Sequence, residues 1–405
     1  MNQKPPAYRR NTVTEYFAKF LALESAGGLL LIAAAALAMI IANSPLAHHY
    51  EHILHLEIQI RVGTLDINQG LSHWINDGLM VIFFFVVGLE LKRERYEGQL
   101  QDFSNVIFPA IAAVGGMVVP ALVYVVFNNG DPMAMRGWAI PTATDIAFAL
   151  GVLSLLGKRV PPSLKIFLTT LAIFDDVGAI IIIALFYSTE LNMQALSVVG
   201  GCMAVLGLLN WRGIESRSVY AAVGLVMWVA MLKSGIHATL AGIIAAFFIP
   251  MYSKSNPRHS PVKGLEHDLH STVAFLVLPV FAFANSGIHL QGMSADQLLH
   301  SVPVGVTLGL FLGKQLGVFS VSWLAIKAGI CKLPRGMTYS SLYGTAVLTG
   351  IGFTMSLFVG NLAFAGQEKL FDERLGIIVG SVLSGVVGYV WLAIVLRGRE
   401  FAKAV

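Results

Sequence analysis

About twelve stretches of this chain are long and apolar enough to cross a lipid bilayer, and no other feature narrows its fold as far. They run approximately over 24–43, 71–90, 104–126, 137–156, 163–187, 192–210, 218–234, 236–252, 270–287, 301–326, 338–364 and 374–396. Crossing the hydrocarbon takes about 20 residues of helix. Inside lipid every backbone polar group must be satisfied within the chain, so spanning runs of this length are helices. Only 12% of the 405 residues are charged and 56% are hydrophobic, against about 25% charge in a soluble domain. The reading is an all-α polytopic membrane protein. Forty glycines suit it, because small residues let membrane helices approach closely. The net charge of +4 carries no nucleic-acid signal, and two cysteines, Cys202 and Cys331, give no disulfide framework. The first apolar run, Ala26–Ala42, is long for a leader peptide and reads as a retained helix.

Lys and Arg in the connections set the orientation. With a cytoplasmic N-terminus, 21 of the 27 fall on the cytoplasmic side, 5 on the other, and Lys314 falls inside a helix. Shifting the count by one helix scrambles that bias, so an even number of spans with both termini cytoplasmic is expected. Between the first two spans, Leu56, Ile58, Ile60 and Val62 alternate with polar residues and Gly63-Thr64 offers a turn. This predicts a short external β-hairpin over 56–67. Its exposed edge would suit pairing with a second copy as a homodimer, or packing on its own helices.

Five ionisable residues fall inside apolar spans: Asp77, Asp145, Asp175, Asp176 and Lys314. A charge at membrane depth costs roughly 2.5–3.5 kcal/mol on insertion scales and rarely persists without a function. Asp175 and Asp176 are adjacent in LKIFLTTLAIFDDVGAIIIIALF, so each makes the other's charge harder to hold and invites a proton or a metal cation. Asp145 lies in WAIPTATDIAFALG, where Pro141 removes a backbone donor and Thr142 and Thr144 can satisfy freed carbonyls, so a broken helix is expected. A second weak point is LTGIGFTMSLF, with Gly350 and Gly352. Interrupted helices in two halves of a chain point to a transporter's binding site. Lys314 is too central to reach water and needs an intramembrane acid as partner. A charge-balanced structural network is the plain alternative, but Asp145, Asp175 and Asp176 against Lys314 leave two negative charges for protons or metal ions. Asp77 reads as a helix-packing or accessory group.

The segments GLELKRE (88–94), PTATDIAFALG (141–151), IFDDVGAIIIIALFY (173–187), KSGIHATLAG (233–242), LEHDLH (265–270), LPVFAFANSG (278–287) and GIGFTMS (350–356) resemble the NhaA-type bacterial sodium/proton antiporters over nearly the whole chain. The resemblance implies one transporter domain with inverted repeats and two broken, crossing helices. In it a cytoplasmic segment (1–23) precedes core helices at about 104–187 and 301–396 and interface helices at about 24–90 and 192–287. It implies a multi-pass protein of the bacterial inner membrane, surrounded by lipid and dimeric through the hairpin. Its cargo would be Na⁺ or Li⁺ and H⁺, with no cofactor. By position, Asp176 is implied as the principal cation and proton carboxylate, with Asp175 its partner and Thr144 and Asp145 supplying oxygens or balancing helix ends. Lys314 is implied to balance charge, beside Gln315 where the family more often has proline. Glu90, Arg93, Glu94, Glu266, His267 and His270 cluster at the cytoplasmic ends, where histidines charging between pH 5 and 8 could gate activity. The family's pH-responsive region lies there; a salt-bridged membrane margin is the alternative. His237 reads equally as a pH-responsive group or a packed helix-end histidine.

Burial and repulsion are expected to hold protons on the acid pair up to cytoplasmic pH, so that H⁺ and Na⁺ compete for the same oxygens. If the site reorients only when neutralised, exchange follows, with two H⁺ per Na⁺ making it electrogenic. K⁺ is expected to be disfavoured. The rival readings are weaker. A sodium-coupled symporter of an organic solute needs a larger polar cavity, a channel needs a filter-like repeat, and the EHDLH order at 266–270 departs from the H-E-x-x-H of zinc peptidases.

Overall fold

The computed structural model describes residues 26–63, 65–98, 101, 103–188, 191–256, 258–290, 300–365 and 373–397. The expected 1–23 segment lies outside these. Helix α1 (Ala26–Ala42) is followed by a short helix α2 (Ala47–Leu54) bent back by 115°, which the sequence did not suggest. The hairpin is present but longer than expected, with β1 (Glu57–Val62) antiparallel to β2 (Leu65–Gly70) and Ile60 opposite Ile67. Gly63 takes φ +60° at the turn, a conformation that costs glycine nothing. Ile58 and Ile60 are exposed along β1.

Helix α3 (Leu71–Glu97) leads into α4 (Phe103–Asn128). A 3₁₀ helix (Ala134–Thr142) and α5 (Ile146–Ser154) then form one span bent by 41°. Helix α6 (Pro162–Phe186) starts with proline in its first turn, where the missing N–H is no loss. Helices α7 (Met193–Arg212), α8 (Arg217–Leu232) and α9 (Leu240–Phe248) follow. Next come α10 (Pro261–Asn285) and α11 (Ser301–Lys327), then α12 (Tyr339–Leu348) and α13 (Phe353–Ala363), which together form a second span bent by 45°, and finally α14 (Glu373–Val395).

Each expected segment contains a helix, but not each is a full span. Among the described residues seven helices are long and apolar enough to cross alone, and up to ten when each bent pair counts as one. The expected span 236–252 shrinks to the nine residues of α9. Pro250 holds Ile249 extended, which stops the helix. The expected span 270–287 instead begins at Pro261, with the Ser260 side chain capping the Lys263 N–H. Three helices contain a widened π turn, at Trp74–Leu79, Val273–Val277 and Gly309–Gly313.

The order long helix, broken helix, long helix occurs twice, as α4 to α6 and as α11 to α14. Helices α4 and α11 cross backbone to backbone: a Cβ on Gly115 would come within 2.5 Å of the Gly317 carbonyl oxygen. That contact brings Lys314 inward, to the two breaks.

Candidate functional site

The acid pair sits midway along α6 and is closed off from solvent, with Asp175 1% and Asp176 3% exposed. Lys314, fully buried on α11, places its ammonium 2.5 Å from Asp175 Oδ2. The Thr144 hydroxyl lies 2.6 Å from the same oxygen. Both donors converge on one oxygen of one acid. The Oδ1 atoms of Asp175 and Asp176 have no hydrogen-bond partner among the described residues. A buried polar atom without a partner forfeits its hydration, so such atoms are uncommon and call for an explanation, of which a bound ion is one.

The two breaks meet beside this pair. Residues 143–145 run extended, and the Asp145 N–H donates to the Ile351 carbonyl at 2.7 Å. Asp145 caps two helices at once. Its Oδ1 accepts from the Phe148 N–H of α5 at 2.9 Å, and its Oδ2 accepts from the Thr354 N–H and hydroxyl of α13 at 3.1 and 2.5 Å. Each helix N-terminus carries about half a positive charge, so two of them offset one carboxylate. Asp145 is thus balanced by backbone, and both its oxygens are engaged. Thr142 donates to the Ala139 carbonyl at 2.7 Å and Ser356 to the Ile140 carbonyl at 2.8 Å. The Thr144 hydroxyl faces Thr349 O at 2.9 Å as well as Asp175, and its one hydrogen serves one of them at a time. With Asp145 offset and Asp175 paired to Lys314, the carboxylate of this group with no direct ion-pair partner among the described residues is Asp176.

The residues of the GLELKRE and LEHDLH segments form a separate group at the Glu97 end of α3. Arg93 Nε grips both Glu266 oxygens at 2.8 and 3.0 Å, its Nη1 lies 2.7 Å from Glu94, and Lys263 pairs with Glu97. Glu90 lies within electrostatic range of Glu266, Arg93 and Glu94. His267 and His270 are exposed and line an open cavity of about 280 Å³ with Arg93, Lys263 and Glu266. His237 is not part of this group. It lies in the turn between α8 and α9, its Nε2 2.9 Å from the Tyr187 carbonyl at the C-terminal end of α6. Burial pushes its imidazole below the ordinary value, and the contact with that carbonyl pulls it partly back. Asp77 falls in the first π turn, at the hairpin end of α3.

Several residues escaped the sequence reading. Thr354 completes the double cap, and its only signal was its place just after Gly352. Lys92 donates to the Phe247 and Ile249 carbonyls at 2.7 and 2.5 Å, closing the C-terminal end of α9. An amide chain runs Asn361 to Asn285 at 2.7 Å and Asn285 to Asn76 at 2.8 Å. Gln315, which the sequence reading did single out, is buried between Phe311 and Tyr343.

Residues 18–392 match the family model described as Na⁺/H⁺ antiporter 1. The chain is 56% identical over 378 residues to the Na⁺/H⁺ antiporter NhaA of Psychrobacter arcticus, covering 93% of this chain and 94% of that one. It is 55% identical over 392 residues to the protein of the same name from Aeromonas hydrophila, covering 96% and 98%. The fold resembles that of the sodium proton antiporter MjNhaP1 from Methanocaldococcus jannaschii, with a TM-score of 0.50 at 16% identity over 95% of this chain and 99% of that one.

Proposed function

The chain belongs to the Na⁺/H⁺ antiporter 1 family and is a multi-span Na⁺/H⁺ antiporter, and we propose that Asp176 is the group through which it exchanges the two ions. One observation carries this reading: a sealed carboxylate with an unpartnered oxygen, next to an acid already committed to a lysine. Burial this deep lowers the local dielectric, so an uncompensated negative charge there is costly and calls for cancellation. Either a proton or a dehydrated Na⁺ cancels it, and both need the same oxygens. Competition is therefore built into the site. Asp175 Oδ1, likewise without a hydrogen-bond partner among the described residues, would serve as a second ligand. Asp145, with both oxygens held by helix ends, keeps the half-helices together and supplies fixed charge balance.

Two H⁺ enter for each Na⁺ that leaves, one from Asp176 and one from the Asp175–Lys314 pair, which titrates as a unit. One net charge then moves inward, and 100 mV adds about 2.3 kcal/mol to the drive, roughly a 50-fold larger Na⁺ gradient. Li⁺, small and hard, replaces Na⁺. The group around Arg93, Glu266, His267 and His270 gives the exchange its pH response through charge at the cytoplasmic mouth. The protein works in the bacterial inner membrane, both termini cytoplasmic, pairing as a dimer through the exposed β1 edge.

The test is dissipation of a pH gradient by NaCl or LiCl in inside-out vesicles. The parent protein dissipates it, and Asp176→Asn, at equal abundance in the membrane, does not. Exchange surviving in the variant would remove Asp176 from the mechanism.

A further inference from the structure

Lys314 sits on a flexible four-carbon stem with three N–H donors, yet it touches one oxygen and leaves the neighbouring open oxygens alone. Something must restrict it. The turn before it is widened, so that the Lys314 N–H reaches back to the Gly309 carbonyl. Widened turns displace carbonyls from their regular donors, and side chains then satisfy them. Within that widened turn the next residue makes a contact of this kind: the buried Gln315 donates its amide to the Phe311 carbonyl at 2.5 Å. The other end of that amide accepts from the Tyr343 hydroxyl at 2.6 Å.

Tyr343 is itself held from two sides. Its ring packs edge-on against Phe319 at 5.4 Å and Trp391 at 5.0 Å, and the Trp391 indole donates to the Ser340 carbonyl at 2.8 Å. Tyr343 belongs to α12, the half-helix just before Thr349, whose carbonyl faces the Thr144 hydroxyl. One amide thus links the widened turn, the helix bearing Lys314 and the half-helix that ends at the site.

We propose that Gln315 is a positioning residue: locked between Phe311 and Tyr343, it holds the Lys314 ammonium on Asp175 Oδ2 and away from the oxygens that take Na⁺. The inference rests on the reading of the acid pair given above. Without the lock, the widened turn relaxes, Lys314 samples Asp175 Oδ1 and Asp176, and its ammonium competes with Na⁺ there. The charged groups that face Lys314 are Asp175 and Asp176 on α6, with Asp145 at the break and Glu90 of α3 within electrostatic range of Asp176.

Exchange kinetics in proteoliposomes at one fixed pH, with Na⁺ binding to purified protein by calorimetry, test this. Tyr343→Phe removes one hydroxyl and keeps the ring stack; Gln315→Leu removes the whole amide. The apparent KM for Na⁺ rises roughly 3- to 10-fold in Gln315→Leu and about 2-fold in Tyr343→Phe, with kcat nearly unchanged. The double variant is no worse than Gln315→Leu. A fall in kcat or in folded protein with KM unmoved in Tyr343→Phe makes the amide a packing element and overturns the proposal. If Asp176→Asn still binds Na⁺ normally, the acid-pair reading fails instead. If Asp176→Asn loses binding while Gln315→Leu binds as the parent does, only the role of Gln315 falls.

Discussion

The molecule keeps two charge clusters, and they obey opposite rules. At the helix crossing, Asp145, Asp175, Asp176 and Lys314 are each at most 3% exposed. At the Glu97 end of α3, Arg93, Lys263, Glu266, His267 and His270 border an open cavity. In the first, each charge needs a partner of its own: two helix ends for Asp145, Lys314 for Asp175 and, as we propose, a transported ion for Asp176. In the second, the pairs Arg93–Glu94 and Arg93–Glu266 border solvent, so water and salt share the burden. We propose that the buried cluster couples the ions, because charge is costly there, and that the open one tunes the rate.

The comparison is sharpened by removing one carboxylate from each. Asp176→Asn is expected to lower Na⁺-dependent exchange at least about 100-fold, measured in vesicles at equal abundance. Next is Asp145→Ala, which uncaps α5 and α13 together. At about 1 kcal/mol per cap, it costs about 2 kcal/mol, read as a lower Tm in detergent together with slower exchange. Glu266→Gln is smaller: the activity–pH profile shifts by under about one unit and the shift shrinks as salt rises, while maximal rate persists. A loss as deep as that of Asp176→Asn would erase the distinction between the clusters.

The smallest effect is at His237. Its imidazole is held below the ordinary 6.5 by burial. The unfolded chain then binds this proton more readily than the folded one, so stability falls as pH drops through and below about 6.5. Replacing it by Gln removes that slope. The acid-side loss of Tm is expected to shrink by about one or two degrees in thermal scans, with no change at pH 8.

Much of this was legible in the sequence because lipid permits so few solutions. Asp175-Asp176 inside an apolar run announced the site, and Pro141 with Thr142 and Thr144 announced a break. What stayed hidden depends on distant partners. The second cap on Asp145 comes from Thr354, 209 positions away. The π turn before Lys314 leaves no pattern, since GLFLG reads like any glycine-bearing helix. Lys92 looked like one more cytoplasmic cation until the carbonyls of α9 were found around it. The twelve drawn spans overstated regularity for the same reason: hydropathy reports which residues are buried, and α9 is buried without being long.

Competition between the two ions at one sealed carboxylate is most directly measured by calorimetry. Na⁺ binding is titrated near neutral pH in buffers of different ionisation enthalpy, which counts the protons released per ion bound. Release of between one and two protons, falling toward none as the solution is made alkaline, is the expected outcome. Na⁺ binding to the intact protein with no proton expelled at neutral pH would contradict it.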